Sequence, residues 1–219
     1  MPRKTLHILG WVFIVLAVPA ALLFFALCLP PQYGETYLGG LSLKYDRLCE
    51  ATGKRIILIG GSGTAFDYRC DLLEQEFPDY TAVNFGLYAG LGTTVMLDLA
   101  ENHLRPGDVV IFSPEQSEQT LSAFFNAEAM WQAADGHADM LFALKREYLE
   151  PLLGKFPAFA ASKAQLWYGK NAPKGDGIYA RSSFNVYGDI TAQGREENIM
   201  PGKYDSNMPL SFDPALIKR

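Results

Sequence analysis

A serine follows directly on an apolar run that ends in two glycines. The segment Arg55–Phe66 reads RIILIGGSGTAF, so Ser62 stands between Gly61 and Gly63. An Ile-rich run of this length predicts a buried strand, and the glycines permit a tight turn before a predicted helix. A serine on such a turn has its hydroxyl at the rim of a sheet, near backbone N–H groups that can hold an oxyanion. Ser62 is therefore a candidate nucleophile.

Two further segments follow predicted strands and carry glycine or polar residues. Gly86–Gly92 comes after a predicted strand at Thr81–Phe85, and Ser113–Gln116 comes after one at Val109–Phe112. This β-α-β-α-β alternation predicts a parallel, doubly wound α/β sheet with helices on both faces. Because ligands in such sheets bind beyond the carboxyl ends of the strands, we expect both segments to join Ser62 at one edge.

A serine nucleophile needs a base to take its proton, and the three histidines are poorly placed to supply one. His7 precedes the apolar N-terminal run, and His103 is predicted at the edge of the sheet opposite Ser62. His137 lies between helices in the segment Asp135–Asp139. A metal site is one interpretation of that segment, but we expect a helix N-cap and a solvated loop, with no metal ion and no cofactor.

The order of these motifs resembles the SGNH/GDSL hydrolase superfamily over roughly residues 54–116. Gly60–Gly63 stands where the family has Gly-Asp-Ser, and Asn84–Gly90 resembles its Asn-x-Gly-x-x-Gly loop with one extra residue. The resemblance implies a three-layer doubly wound sheet of the SGNH or flavodoxin-like kind. More narrowly, an apolar N-terminal helix followed by such a domain is similar to membrane-anchored bacterial cell-surface SGNH proteins, some of which move acyl groups on envelope polymers.

The resemblance also implies roles for individual residues. Ser62 would be the nucleophile, and its N–H would form an oxyanion hole with the N–H of a loop glycine, Gly90 in first place and Gly86 as the rival. Glu115 stands where the family has an oxyanion-holding asparagine. An ionised carboxylate only accepts hydrogen bonds, so Glu115 would act as a base, bind a substrate hydroxyl or cation, or cap the next helix. Tyr88 in the glycine loop either lines the cleft or closes the core.

The family's late Asp-x-x-His motif is absent from this sequence. We therefore expect the chain to be the N-terminal part of a longer protein, with an incomplete sheet, or to be a weak enzyme. The predicted function is a serine esterase or O-acyl transferase acting on cell-envelope glycans or other small acyl esters. A non-catalytic envelope binding or scaffold protein on the same fold is the alternative.

Ile8–Leu29 is an uncharged run of 22 residues, long enough to cross a hydrocarbon core of about 30 Å. Arg3 and Lys4 precede it, so the positive-inside rule places the N-terminus in the cytoplasm and the later residues outside. The apolar region of a cleaved signal peptide usually has only about 7–15 residues. We therefore expect residues 1–30 to be an uncleaved single-pass anchor in the cell membrane.

After the anchor we expect a stalk with an amphipathic helix over residues 31–53, an α/β domain over 54–170 and an irregular segment over 171–219. Helices are predicted at Ala65–Phe77 and Thr93–Leu104, with two or three more over 120–168. Cys49 and Cys70 lie in the exported part, where a disulfide is permitted, but we favour free thiols. The sequence does not specify the oligomeric state.

Nucleic acid and nucleotides are disfavoured as partners. The formal net charge of −5 comes without a basic stripe interleaved with aromatic residues, which argues against nucleic acid. Gly61 and Gly63 mimic part of a dinucleotide fingerprint, but Phe66 takes the third glycine position and Asn84 ends the second strand where an acidic residue would hold a ribose.

Overall fold

The computed structural model describes residues 3–115 and 124–190. The helices and strands in chain order are α1 (Arg3–Cys28), α2 (Gly40–Glu50), β1 (Lys54–Gly60), α3 (Ser62–Asp67), α4 (Cys70–Glu76), β2 (Tyr80–Asn84), α5 (Thr93–Glu101), β3 (Val109–Ser113), α6 (Ala127–Ala133), α7 (Asp139–Phe142) and α8 (Leu149–Gly169). Short 3₁₀ turns lie at Ala89–Leu91, Arg146–Tyr148, Gly177–Tyr179 and Arg181–Ser183.

The three strands form one parallel sheet in the order β2-β1-β3. Leu58 pairs with Asn84 of β2, and Gly60 pairs with Ser113 of β3. The carboxyl ends of the three strands therefore meet at one edge, which we call the carboxyl edge. The predicted parallel α/β sheet is confirmed at this level.

The central strand is buried on both faces, as expected for a strand covered by helices on either side. Ile57 and Ile59 join a large core with α2, α5, α6 and α8, while Ile56 and Leu58 join a smaller core beneath α4. This alternation follows from the period of two in a strand. The side chains of this apolar run are therefore buried on both faces of the sheet.

The stretch predicted as one helix over Ala65–Phe77 forms two helices, α3 and α4. The chain is extended at Arg69, with φ −125° and ψ 91°. The first amide of α4, that of Cys70, donates a hydrogen bond of 2.8 Å to the Asp189 carboxylate. Because the first amides of a helix have no partner inside it, this distant carboxylate stabilises a second helix start. Such a partner is not visible in local periodicity.

Residues that follow α1 pack on the α/β domain. The ring of Tyr33 lies 6.0 Å from that of Phe159 in α8, centroid to centroid. Thr36 forms an isolated antiparallel bridge with Ala180. The first part of the segment that the sequence predicts to be a stalk is therefore packed on the domain. In the same way, the carbonyl of Tyr187 accepts the N–H of Asn84 at the end of β2.

The N-terminal helix α1 is long and apolar. Its stretch Trp11–Cys28 has a mean hydropathy of 2.7, and only 6% of it is buried in the protein. Within residues 3–115 and 124–190 it is the one helix with the length and composition to cross a membrane. The prediction of an apolar N-terminal helix of spanning length is confirmed; a signal sequence near an N-terminus can meet the same criteria of length and hydropathy.

Candidate functional site at the carboxyl edge

Ser62 is the first residue of α3 and lies two residues beyond the end of β1. Its side chain is half-buried. The glycines before it leave room for close neighbours: a Cβ on Gly60 would overlap the hydroxyl of Thr64 and the carbonyl of Ser113, and one on Gly61 would lie 2.8 Å from the Glu115 carboxylate. The turn that presents the serine therefore depends on these two glycines.

Glu115 lies two residues beyond β3 and contacts the serine directly. The Ser62 hydroxyl donates a hydrogen bond of 2.9 Å to Oε1 of Glu115. The backbone N–H of Gly63 donates to the same oxygen. A carboxylate so placed can accept the serine proton, and it also sits on an amide at the start of a helix, where negative charge is favoured.

The two loop glycines are placed differently. Gly86 packs against the serine turn, because a Cβ there would overlap Thr64 and lie 3.0 Å from the carbonyl oxygen of Gly61. Its own N–H donates to the side-chain oxygen of Asn84 at 3.1 Å. Gly90 is instead covered by the ring of Tyr88, which a Cβ would overlap. The structure thus brings Gly86 to the candidate nucleophile.

Tyr88, for which the sequence left cleft and core open, lies at the surface with 42% of its area exposed. Tyr37 takes the inner position beside the glycine loop. Its hydroxyl donates to the carbonyl of Leu87 at 2.6 Å. Burial raises the pKa of Tyr37, and the negative charge of Glu115 raises it further. The phenol therefore remains a hydrogen-bond donor that holds the start of the loop.

A buried polar network supports the serine turn from behind. The side-chain amide of Asn84 donates to the carbonyl of Thr64 and to the carboxylate of Asp189, both at 2.8 Å. The hydroxyl of Thr64 donates to the carbonyl of Ser113 at 3.1 Å. These bonds connect β2, α3 and β3, so Asn84 is a positioning residue here.

Lys44 completes this network from α2. It is fully buried, and its ammonium group donates to the carbonyls of Asn84, at 3.1 Å, and Gly188. Burial lowers the pKa of Lys44 to about 7, although the negative charge of Asp189 acts in the opposite direction. Sequence reasoning missed both Lys44 and Asp189. Lysine is almost never fully buried, and Asp189 follows turn residues, so neither residue type carries a local signal of burial.

His103 lies away from the serine. His103 is half-buried, and its Nε2 lies 2.9 Å from the hydroxyl of Tyr45. Its carbonyl accepts a hydrogen bond from Arg55 near the start of β1, so the prediction that it lies at the opposite edge is confirmed. Cys49 lies 3.6 Å from the same ring. The three thiols, including that of the fully buried Cys70, are free.

The segment around His137 is a largely exposed loop except at Asp135, and no side chain caps the helix that follows it. The Asp135 carboxylate is buried, pairs with Lys163 at 2.7 Å and accepts the N–H groups of Gln32 and Tyr33. These partners give the Asp135 carboxylate a structural role. Across residues 3–115 and 124–190, no three His, Cys, Asp or Glu side chains are grouped so as to hold a metal ion.

Comparison with known proteins identifies no relative of this chain. No protein-family model matches the chain, and no curated protein or solved structure matches it significantly. The chemistry of the site is therefore derived from its own residues.

Proposed function

We propose that the chain is a membrane-anchored serine hydrolase of SGNH/GDSL type, an esterase or O-acyl transferase whose substrates are acyl esters such as those on cell-envelope glycans. The observation that carries this proposal is the hydrogen bond of 2.9 Å between the Ser62 hydroxyl and Glu115 at the carboxyl edge. A serine becomes a nucleophile only beside a group that accepts its proton. Glu115 is such a group, and both residues are half-buried.

The reaction follows from this pair. Ser62 Oγ attacks the ester carbonyl carbon while its proton passes to Oε1 of Glu115. The carbonyl oxygen becomes an oxyanion, which the N–H groups of the serine turn hold. When the intermediate collapses, the bond to the alcohol oxygen breaks and that oxygen takes the proton from Glu115. Water, or the hydroxyl of an acceptor, then attacks the acyl-serine and gives its proton to Glu115. The bond between the acyl carbon and Ser62 Oγ breaks, and Oγ takes the proton back from Glu115, which restores both residues.

The Gly63 amide supports this scheme. It already holds one negatively charged oxygen, that of Glu115, so the turn is able to hold an anion. Removing one such donor typically costs about 100- to 1000-fold in rate. A carboxylate is a weaker base than an imidazole, and we therefore expect slow turnover.

The same contact favours the second candidate, a non-catalytic envelope binding or scaffold protein. Glu115 accepts from both the nucleophile and the adjacent amide. If that arrangement is permanent, Ser62 serves to hold the end of β3 against α3. The carboxyl edge would then bind a ligand without attacking it.

A fluorophosphonate probe distinguishes the two. We expect the folded full chain to be labelled, labelling to be lost in Ser62→Ala, and labelling to persist in Ser182→Ala, a matched exposed serine outside the site. Absence of labelling in a chain with an intact thermal transition would contradict the hydrolase and leave the binding protein.

The proposed location is the cell membrane, crossed once by α1, with a cytoplasmic N-terminus and the α/β domain outside. The length and hydropathy of α1 support a single crossing. The basic residues Arg3 and Lys4, which precede the apolar run, support a cytoplasmic N-terminus. Protease added to intact cells should digest the domain. Protection of the domain until the cells are lysed would contradict this topology.

A further inference from the structure

The last two thirds of α8 expose no charged side chain. Phe156–Gly169 contains one charged residue, Lys163. That residue is 2% exposed and pairs with Asp135 at 2.7 Å. A surface helix of a domain surrounded by water normally carries charged residues on its outer face. This helix therefore presents an uncharged face over nearly four turns.

The outer face of α8 consists of exposed residues that share one side of the helix: Pro157, Ala158, Ala161, Gln165 and Tyr168. Tyr168 is 86% exposed, and the neighbouring Trp167 is 44% exposed. Tyrosine and tryptophan are enriched where hydrocarbon meets water. Exposed lysines, Lys155 and Lys170, flank the face and suit lipid headgroups of negative charge.

The end of α1 packs on this same helix. Ala26 and Leu29 are buried, whereas most of α1 is exposed, and α1 and α8 are in contact. The ammonium group of Lys163 lies 3.5 Å from the carbonyl of Leu27. Just beyond, the Tyr33 hydroxyl lies 2.9 Å from that of Ser162. The contact thus involves the last turn of α1 and the middle of α8.

The level of this contact in a bilayer follows from length. A spanning helix crosses the hydrocarbon core in about 20 residues, so a helix that enters near Ile8 leaves it near Leu27. Because α8 contacts α1 at this point, α8 lies at the lipid–water boundary. We propose that the outer face of α8 lies on the bilayer and inserts into its headgroup region. This inference rests on the proposed anchor, and it adds a second attachment that fixes which side of the domain faces the lipid.

The experiment uses the full chain in liposomes of phosphatidylcholine and phosphatidylglycerol. Cys28→Ser and Cys49→Ser remove two thiols, and the remaining Cys70 is fully buried. A fluorescent NBD label is then attached at one new cysteine per protein: Ala161→Cys on the outer face of α8, Thr52→Cys as an exposed control of similar size, or Val15→Cys inside α1. Quenching is measured with iodide in the water and with nitroxide-labelled lipid.

We expect the label at position 161 to be quenched by the lipid nitroxide, with an iodide quenching constant several-fold lower than at position 52. The label at position 15 reports the anchor. Equal iodide access at 161 and 52, with lipid quenching at 15, overturns the α8 proposal alone. Protection at 161 without lipid quenching overturns it in favour of a covering protein segment or second copy. No lipid quenching at 15 overturns it together with the anchor, whereas Ser62 labelling is a separate measurement.

Discussion

Each edge of the sheet holds a carboxylate close to β3 and a buried basic side chain. At the edge where β1 begins, Asp108 precedes β3 and meets Arg55. At the carboxyl edge, Glu115 follows β3 and meets Ser62, while Lys44 lies deeper in the core. The same residue types therefore serve two different purposes, and their partners decide which.

The Arg55–Asp108 ion pair is buried away from solvent. Its side chains are 0% and 3% exposed, and the shortest nitrogen–oxygen distance is 2.5 Å. Arg55 also donates to the carbonyls of Leu48 and His103. Burial by itself would raise the pKa of Asp108, but the hydrogen bonds from Arg55 and from the Arg105 amide, with the charge of Arg55, together outweigh it and lower the pKa. The charges are matched and inaccessible, which is what a structural role requires.

The carboxyl edge is arranged otherwise. Glu115 accepts hydrogen bonds from a hydroxyl and a backbone amide, and it remains half-buried. Lys44, fully buried, contacts two carbonyl groups. A carboxylate held by neutral donors beside a serine can exchange a proton, whereas one paired with a guanidinium cannot. The comparison therefore distinguishes a structural edge from the edge that we propose to be reactive.

The largest expected effect is on stability at the structural edge. Asp108→Asn should lower the free energy of unfolding by about 3–5 kcal/mol, because it leaves the buried Arg55 charge without its partner. Glu115→Gln should cost no more than about 1 kcal/mol. Denaturant titration of both variants in detergent measures the difference. Equal losses would mean that both carboxylates are structural.

Glu115→Gln should instead act on chemistry. We expect it to slow fluorophosphonate labelling of Ser62 by about 100-fold or more, since a general base typically contributes 100- to 10,000-fold. The rate is measured with excess probe over time. Glu101→Gln, an exposed change outside the site, serves as the control. Unchanged labelling would exclude Glu115 as the proton acceptor.

Gly60→Ala tests the packing of the turn. The added Cβ would overlap the Thr64 hydroxyl and the Ser113 carbonyl, so we expect a loss of about 1–3 kcal/mol together with slower labelling. Gly154→Ala is the matched control, because a Cβ there meets nothing within 4 Å and alanine favours the helix by about 1 kcal/mol. Equal free energies of unfolding for the two variants would show that the serine turn does not depend on close packing at Gly60.

Lys44 predicts that the stability of the chain depends on pH. Its pKa is about 7 in the folded chain against 10.5 unfolded, so the unfolded chain binds more protons between these values. Stability should then rise with pH above 7, with a slope of up to about 1.4 kcal/mol per pH unit. Denaturation at several pH values between 7 and 8 measures it, below the ordinary pKa of 9.0 near which the thiols of the unfolded chain titrate. A slope retained in Lys44→Met would assign it to another group.

Much of the fold could be predicted because its signals are local. The Ile-rich run forms β1, and the three strands lie within one or two residues of their predicted bounds. The single helix over Ala65–Phe77 was wrong because Asp189 starts α4 from a segment 119 residues away. Leu72 and Phe77 of this stretch are about half exposed, whereas Leu73 packs against the smaller core.

At the candidate site, sequence alone determined that Ser62 would stand on a glycine turn at the end of a strand, because backbone freedom and apolar periodicity are properties of neighbouring residues. Only the tertiary structure decided that Glu115 reaches this serine, that Gly86 rather than Gly90 packs against its turn, and that Lys44 and Asp189 are buried behind it. These contacts join segments far apart in the chain. Their free energies depend on which surfaces meet in the folded domain.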